Sequence, residues 1–265
     1  MSERRTALIT GASSGFGVEF ARLFAADGFD VVLVARTEPP MRELAEVLQG
    51  SHDVTATVIG ADLSLEGASD GLVDDLRTRG IHVDALVNNA GFAQYGPFAD
   101  ADPEVLRRMV AVNVLALTEL TRALLPAMIE RRWGRIVHLG SVGSFAPAPM
   151  TGAYAATKAY VLSLSLAMHE ELRGTGVTVT ALCPGPTATG FQARAEMADS
   201  KLVAGRDLDT AEEVVRAGYS AMKKGRPYVV TGTTSRLFAF GSRFLPRTMS
   251  ARIAGGAQRR VTGSG

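Results

Sequence analysis

Tyr154 and Lys158 are the two residues whose types and spacing point most directly to chemistry. They lie four residues apart in an Ala- and Leu-rich segment that predicts a helix over residues 154–172, and residues at i and i+4 share one helix face. A positive charge beside a phenol favours the phenolate, so the pair predicts a tyrosine whose pKa is lowered toward neutrality. Such a tyrosine can donate or accept a proton near physiological pH. Because isolated pairs of this kind are common by chance, the interpretation depends on the rest of the chain.

A glycine-rich turn with the spacing G-x-x-x-G-x-G extends from Gly11 to Gly17. It lies between a predicted strand at residues 6–9 and a predicted helix at residues 18–27. Glycines let the backbone approach a pyrophosphate closely, and a helix N-terminus offers free N–H groups and a positive dipole end. The spacing differs from the usual G-x-G-x-x-G, but the strand–turn–helix context favours a dinucleotide site over a purely structural turn.

Arg36 follows the second predicted strand, at the position that selects between dinucleotides. An NAD enzyme usually has an acidic residue there to hold the ribose 2′-hydroxyl, whereas this chain has Ala-Arg-Thr. A guanidinium can contact a 2′-phosphate with two hydrogen bonds. Asp30 lies at the opposite end of the strand. The position therefore favours NADP(H), with a solvated surface charge as the alternative.

Polar residues also follow the third and fourth predicted strands. Asp62 could accept a hydrogen bond from an adenine amino group, or it could cap a helix beginning near Ser64. The segment Asn-Asn-Ala-Gly at residues 88–91 could contact a cofactor or form a simple turn.

Apolar strands alternate with helical segments along the chain. The predicted strands are residues 6–9, 31–34, 54–59, 85–87, 135–139, 177–182 and 228–230, and the predicted helices are residues 18–27, 41–49, 65–79, two within 103–131, and 154–172. Continuously apolar strands are typical of a parallel sheet that is buried on both faces. The pattern predicts an α/β fold: a single doubly wound, Rossmann-type domain with a seven-stranded parallel sheet and helices on both faces.

The predicted catalytic domain covers residues 1–230, with a substrate lid at about residues 186–210. Residues 231–265 are a basic, apolar extension that is not an independent domain. Ligands of such sheets bind at the carboxyl ends of the strands, near the switch in strand order. Arg36, Asp62 and the Asn-Asn-Ala-Gly segment each follow a predicted strand.

The composition excludes several classes of protein. The chain has 265 residues, 46% of them hydrophobic, and a net charge of +1. Its net charge is too small to attract the whole molecule to nucleic acid. Cys183 is the single cysteine, which rules out an intrachain disulfide and suggests a reducing compartment. The four histidines lack metal spacing, and no metal is expected. With no predicted signal peptide or membrane span, we expect a cytoplasmic protein.

Taken together, these features resemble the short-chain dehydrogenase/reductase family over about residues 6–228. The resemblance rests on the glycine motif, on the Tyr154 and Lys158 pair, and on several residues in matching order. Those residues are Asp62, Asn88, Asn89, Ala90, Gly91, Asn113, Ser141, Pro184 and Gly185.

The resemblance implies a catalytic tetrad of Asn113, Ser141, Tyr154 and Lys158. Tyr154 would act as general acid or base, and Lys158 would lower its pKa and hold the nicotinamide ribose. Ser141 would bind the substrate oxygen, with Ser144 as a less well-placed alternative. Asn113 would hold a water that links Lys158 to solvent.

The resemblance also implies the cofactor contacts. Besides Arg36 and the Tyr154 and Lys158 pair, these are Gly11, Ser13, Ser14, Gly15, Phe16, Gly17, Asp62, Leu63, Asn88, Asn89, Ala90, Gly91, Pro184, Gly185, Thr187 and Thr189. We interpret His138 and Cys183 as buried core residues.

Mostly apolar segments are the candidates for substrate binding. With Ser141, the candidate contacts are Tyr95, Phe145, Met150 and Phe191. They suggest a hydrophobic ketone or secondary alcohol. The favoured function is NADP(H)-dependent interconversion of the two, and the alternatives are a 3-oxoacyl thioester reductase of lipid synthesis and a non-catalytic NADP-binding sensor.

The C-terminal segment is unusual in its charge. Residues 226–265 contain seven arginines and no lysine or acidic residue, so the rest of the chain has a net charge of −6. Phenylalanines interspersed with these arginines could contact a membrane surface peripherally, or pack on the domain or on a second subunit. The family resemblance implies a homo-oligomer, either a dimer or a tetramer.

Overall fold

The computed structural model describes residues 4–188, 190 and 208–258, so the predicted site residues Thr189 and Phe191 lie outside the described part. Seven parallel strands form one sheet in the order β3-β2-β1-β4-β5-β6-β9. They are β1 (Thr6–Thr10), β2 (Asp30–Ala35), β3 (Ala56–Gly60), β4 (Ala85–Asn88), β5 (Gly134–Leu139), β6 (Val177–Cys183) and β9 (Tyr228–Val230). Two short strands, β7 (Thr187–Ala188) and β8 (Asp209–Thr210), pair separately.

Helices cover both faces of the sheet. They are α1 (Phe16–Ala26), α2 (Glu38–Ser51), α3 (Ala68–Thr78), α4 (Pro103–Val110), α5 (Leu117–Glu130), α6 (Gly152–Glu171), α7 (Ala211–Lys223), α8 (Thr233–Gly241) and α9 (Arg247–Gln258). On one face, Phe20 and Met41 pack in a cluster with Ile9 of β1. On the other face, Leu120 packs with Leu8 of the same strand. The predicted doubly wound α/β fold is therefore confirmed.

The switch in strand order lies between β1 and β4, which pair in parallel with Leu8 opposite Leu86. β1 pairs on its other side with β2, and Leu8 there faces Val32. The crossovers therefore leave this pair of strands in opposite directions, and a crevice forms beyond their carboxyl ends.

The segment predicted as two helices at residues 103–131 is one continuous helical run. A π-helical turn, Ala111–Ala116, joins α4 directly to α5, and it places Asn113 at 1% exposure. The two helices predicted over this segment are present as α4 and α5. The sequence pattern did not reveal that a π-helical turn joins them without a break. π-turns of this kind are frequent at functional sites.

This continuous run is also long and apolar. Pro103–Glu130 is, among the described helices, the one that is long and apolar enough to span a membrane by length and composition alone, and 33% of its most apolar window is buried. The run is not an uncharged stretch, since it contains Glu104, Arg107, Arg108 and Glu119.

The C-terminal segment packs back on the domain as far as it is described. α8 follows β9 and buries Ser235 and Ala239, and α9 buries Ser250 and Gln258. This packing brings α9 to the same end of the sheet as the residues predicted to do chemistry.

Candidate active site

A cleft of about 750 Å³ lies beyond the carboxyl ends of the strands. One end is formed by the turn after β1, with Gly11, and by Arg36 after β2. The other end is formed by Ser141 after β5, by Tyr154 on α6, and by Ile253 on α9. The cleft thus joins the predicted cofactor residues to the predicted catalytic residues.

The glycine turn has a backbone path that side chains would block. Gly11 and Gly15 have φ values of 68° and 55°, where residues other than glycine are strained. A Cβ on Gly11 would lie 2.7 Å from Asn89 Nδ2, and one on Gly17 would overlap the Gly11 carbonyl oxygen. Gly15 is the N-cap of α1, and no described side chain caps this helix, so the first N–H groups of α1 remain available to an anion such as a pyrophosphate.

Asn89 and Thr10 hold this turn against the end of β4. Asn89 Nδ2 donates to the carbonyl oxygens of Thr10 at 2.8 Å and Gly11 at 3.1 Å. Thr10 Oγ1 accepts from the backbone N–H groups of Asn89 and Ala90, both at 3.0 Å. Asn89 therefore shapes the cofactor end of the cleft, which it also lines.

Two predicted cofactor contacts do not line the cleft. Gly17 is buried beneath the turn, where its lack of a side chain lets α1 approach Gly11. Asn88 is 3% exposed and its Nδ2 donates inward to Thr121 Oγ1 at 2.9 Å. The prediction was wrong for Asn88 because alternate residues of a strand face opposite sides of the sheet.

Arg36 and Asp62 lie where an adenosine moiety would be recognised. Arg36 is exposed at the edge of the cleft and has no acidic partner within 4.0 Å among the described residues. Asp62 accepts from the Ser64 hydroxyl at 2.6 Å and pairs with Arg108 at 3.0 Å. Burial opposes ionisation of Asp62, but these hydrogen bonds and charges hold its pKa below the usual value. No helix begins at Ser64, since α3 begins at Ala68, so the capping alternative was wrong.

The remaining predicted cofactor residues within the described part of the chain also line the cleft. These residues are Ser13, Ser14, Gly15, Phe16, Leu63, Ala90, Gly91, Pro184, Gly185 and Thr187.

Tyr154 and Ser141 meet at the catalytic end of the cleft. Both line it, and Ser141 forms a hydrogen bond with the Tyr154 hydroxyl. Ser141 Oγ also accepts from Gly143 N at 3.1 Å. Ser144 Oγ donates instead to the Lys158 carbonyl oxygen at 2.8 Å and accepts from Ser141 N at 3.1 Å. Ser144 therefore supports the loop, and Ser141 is the one of the two serines that lines the cleft.

Lys158 and Asn113 are buried behind the tyrosine. Lys158 Nζ lies 5.7 Å from the Tyr154 ring centroid and donates to the Leu139 carbonyl oxygen at 2.6 Å. Asn113 does not line the cleft; its side chain bonds the Phe92 backbone at 3.0 and 3.1 Å and Thr157 Oγ1 at 3.1 Å. Asn113 thus joins α6 to the segment after β4.

The expected lowering of the tyrosine pKa is not found in the protein alone. Burial raises the pKa of Tyr154 to about 12, although the hydrogen bond from Ser141 opposes the rise. Burial lowers the pKa of Lys158 to about 8. The prediction was wrong because it counted the neighbouring charge and not the loss of water around both groups. A protonated Tyr154 is the form that donates a proton to a carbonyl oxygen.

Three of the predicted substrate contacts lie elsewhere. Phe145 packs on Tyr228 with ring centroids 6.2 Å apart. Tyr95 is buried and donates to the Gln258 carbonyl oxygen at 2.5 Å. Met150 does not line the cleft and has a φ of 70°. Smaller residues of the β5–α6 segment take their place as lining: Val142, Gly143, Ala146, Ala148 and Thr151.

Helix α9 closes the catalytic end of the cleft, a contribution that the sequence analysis missed. Ile253, Ala254 and Gln258 line the cleft. Gln258 is 6% exposed, and its Nε2 donates to Thr151 Oγ1 at 2.9 Å. Because Thr151 directly precedes α6, this bond fastens the end of the described chain to the helix that carries Tyr154. In the sequence, the indication of this contact was that the C-terminal segment contains apolar residues that could pack on the domain.

The residues interpreted as core lie in the core. His138 is 0% exposed between Thr121 and Ser165, and burial lowers its pKa to about 3. Cys183 is also 0% exposed, and burial raises its pKa to about 12. Within the described residues, no group of three His, Cys, Asp or Glu side chains is placed to bind a metal.

Comparisons with known proteins agree with this site. A family model described as short chain dehydrogenase matches residues 5–199. A short-chain dehydrogenase from Sphingobium yanoikuyae, solved in complex with NADPH, superposes with a TM-score of 0.81 at 34% identity, over 91% of this chain and 94% of that one. The bulky-bulky ketone specific alcohol dehydrogenase from Comamonas testosteroni superposes with a TM-score of 0.77 at 31% identity, over 91% and 92%. The chain belongs to the short-chain dehydrogenase family, whose members are oxidoreductases acting between alcohol and carbonyl groups.

Some relatives are longer than this chain. A very-long-chain 3-oxoacyl-CoA reductase of Pyricularia oryzae is 36% identical over 65% of this chain, and the match covers 53% of that protein. A short chain dehydrogenase of Pseudocercospora fijiensis is 37% identical over 68% of this chain and 59% of its own length.

Proposed function

We propose that this protein is an NADP(H)-dependent oxidoreductase that interconverts a hydrophobic ketone and its secondary alcohol. The observation that carries the proposal is the single cleft that holds Arg36 and the glycine turn at one end, and Ser141 and Tyr154 at the other. Lys158 is buried beside Tyr154. This arrangement allows one bound molecule to extend from a phosphate site to a proton donor.

The cofactor end fits a phosphorylated dinucleotide. The glycine turn lines this end of the cleft with Gly11 and Gly15, both at positive φ, and the uncapped N-terminus of α1 favours a pyrophosphate. Arg36 lies exposed at the edge of the cleft, where its guanidinium can bind a 2′-phosphate. The nicotinamide ring supplies or accepts the hydride when the cofactor is bound. The relative that was solved with NADPH supports this assignment.

The catalytic end supplies a proton and stabilises charge. Ser141 and Tyr154 offer two hydroxyl donors to one carbonyl oxygen, and negative charge develops on that oxygen during reduction. Donors placed in this way typically contribute about 2.7–4 kcal/mol each to transition-state stabilisation. Lys158, behind Tyr154, stabilises the phenolate that remains when the tyrosine gives up its proton.

The lining favours an apolar substrate. Val142, Ala146, Ala148, Ile253 and Ala254 form the wall near Tyr154, with Thr151 and Gln258 as the polar groups beside them. No described charged residue lines that end except Lys158 and Asp209. Small side chains at three of the apolar positions leave space, which suits a ketone with a bulky substituent. The related enzyme specific for bulky-bulky ketones supports this class.

A 3-oxoacyl thioester is the second candidate, because a very-long-chain 3-oxoacyl-CoA reductase is among the relatives. One experiment separates the candidates: NADPH and NADH oxidation measured across aliphatic, aromatic and steroid ketones and 3-oxoacyl thioesters. We expect turnover of bulky ketones with a preference for NADPH. Turnover confined to thioesters supports the second candidate, and NADPH binding without turnover of any compound supports a cofactor sensor.

We also propose that the chain forms a homo-oligomer in the cytoplasm. Leu115 and Tyr160 are 52% and 40% exposed on neighbouring helical segments, which are joined by a 2.9 Å hydrogen bond between the Thr118 and Tyr160 hydroxyls. Large apolar groups exposed on adjacent helices favour contact with another subunit. Light scattering of the purified protein measures the subunit number, and a monomeric mass contradicts the proposal.

A further inference from the structure

Helix α8 and the turn after it expose large apolar side chains close together. Leu237, Phe240 and Phe244 are 72%, 60% and 73% exposed. Leu237 and Phe240 lie three residues apart and share a helix face, and the Phe240 and Phe244 rings pack with centroids 5.3 Å apart. Single exposed apolar residues are normal on a protein surface, whereas three within eight residues form a patch that marks an interaction surface.

Exposed arginines accompany this patch. Arg243 and Arg247 flank Phe244, and both are exposed. The patch and these two arginines are called here the basic apolar surface. It belongs to the segment of residues 226–265, which has seven arginines and no acidic residue, while the remainder of the chain has a net charge of −6. The positive charge of the chain is therefore concentrated in the sequence segment that carries the patch.

The basic apolar surface adjoins the catalytic end of the cleft. Phe238, between Leu237 and the other members of the patch on α8, lines the cleft. Ile253 on α9 also lines the cleft while remaining 48% exposed. The exposed apolar side chains are thus continuous along the chain with the apolar lining of the site.

We infer that the basic apolar surface binds the face of an anionic lipid bilayer and so brings the mouth of the cleft to the membrane. Apolar side chains on a short helix insert at the level of the lipid headgroups, and arginines beside them attract anionic lipid. The charge separation orients the chain with this surface toward the bilayer. Binding to lipid does not depend on the proposed activity, although it would deliver an apolar ketone directly to the cleft.

Sedimentation with lipid vesicles tests this inference on the full chain. We expect the protein to sediment with vesicles of equal parts phosphatidylcholine and phosphatidylglycerol, and much less with phosphatidylcholine alone. Each of Arg243→Gln and Arg247→Gln should weaken binding about fivefold, the value of one charge near an anionic surface. A Phe240→Ser and Phe244→Ser double variant should weaken it by at least about tenfold.

Phe98→Ser is the matched control, because Phe98 is 74% exposed outside the basic apolar surface. This variant should bind vesicles like the wild type, and all variants should keep wild-type NADPH affinity as a check on folding. Wild-type protein that stays in solution with phosphatidylglycerol vesicles overturns the inference. The inference is also overturned if the Phe240 and Phe244 double variant sediments with vesicles to the same extent as the Phe98→Ser control. If the double variant instead has a lower mass by light scattering and no form binds vesicles, the surface joins copies of this chain.

Discussion

Lys158 is a buried cation. Of the two buried groups Lys158 and Tyr154, the lysine is the one that changes its protonation closer to neutral pH. Burial lowers its pKa to about 8 and raises that of Tyr154 to about 12. Between these values the tyrosine keeps its proton while the lysine loses its charge. In the protein without cofactor, a change in pH near 8 therefore changes the charge of Lys158 and leaves Tyr154 protonated.

The pH profile of kcat/KM for NADPH should reflect this titration. The profile reports groups of the free enzyme, and the charged lysine is the form that donates to cofactor hydroxyls. We expect a plateau below pH 8 and a fall that approaches about tenfold per pH unit above it, with one proton involved. A profile that stays flat to about pH 9.5 would contradict the role given to Lys158.

Arg36 should set the cofactor preference by its charge. Replacement by Asp removes the partner of the 2′-phosphate and supplies an acceptor for a 2′-hydroxyl. Because a hydrogen bond to a charged group is worth about 1.5–3 kcal/mol, we expect NADPH to bind about a hundredfold more weakly to Arg36→Asp. NADH should bind more tightly than in the wild type.

The control for this experiment is Arg77→Asp, which reverses an exposed charge on α3 far along the chain from the cofactor turn. It should leave both affinities unchanged. Equal losses of NADPH affinity in the two variants would mean that Arg36 acts only through net charge.

At the scale of elements, the N-terminus of α1 depends on a close approach to the turn after β1. A Cβ on Gly17 would overlap the Gly11 backbone, and such overpacking typically costs about 1–3 kcal/mol. We expect Gly17→Ala to lower the free energy of unfolding by this amount and to weaken NADPH binding. Urea unfolding and fluorescence titration measure the two effects.

Gly71 provides a matched comparison inside α3. A Cβ there meets nothing within 4 Å, and glycine in a helix is about 0.5–1 kcal/mol less stable than alanine. Gly71→Ala should therefore raise the free energy of unfolding and leave cofactor affinity unchanged. If Gly17→Ala behaves like Gly71→Ala, the close approach is not required.

Local patterns in the sequence were sufficient to predict the sheet and most of the cofactor site. Apolar runs and the glycine spacing are local signals, and each predicted strand of the sheet is present with bounds that shift by at most two residues. The misassigned residues depend on distant contacts. Tyr95 bonds a carbonyl 163 residues away, and Phe145 packs on Tyr228. No local pattern distinguishes such residues from cleft residues of the same type.

At the scale of the whole molecule, the end of the described chain completes the site. Gln258 joins the segment after β4, through its carbonyl oxygen, to the start of α6, through its side chain. Both segments border the catalytic end of the cleft. The C-terminal extension therefore acts as a wall of the active site, which its sequence alone did not reveal.

Replacing Gln258 should affect the ketone more than the cofactor. Gln258→Leu keeps the size of the side chain and removes the 2.9 Å bond to Thr151. The loss of one buried hydrogen bond, worth about 1 kcal/mol, should loosen α9 and raise KM for the ketone severalfold. The affinity for NADPH should not change, since the cofactor end lies at the other side of the cleft. An unchanged KM would show that α9 does not shape the substrate site.

The variant Tyr154→Phe tests whether Tyr154 donates the proton to a carbonyl in an NADPH-dependent reduction. The measurement is kcat for a bulky ketone with NADPH, together with the dissociation constant for NADPH, in the variant and the wild type. Proton transfer by a positioned side chain contributes about 10²–10⁴-fold, so kcat should fall by at least about a hundredfold. The dissociation constant should remain within about twofold, because the phenylalanine keeps the ring that borders the cleft. A Tyr154→Phe variant that retains wild-type kcat would contradict the role of Tyr154 as proton donor.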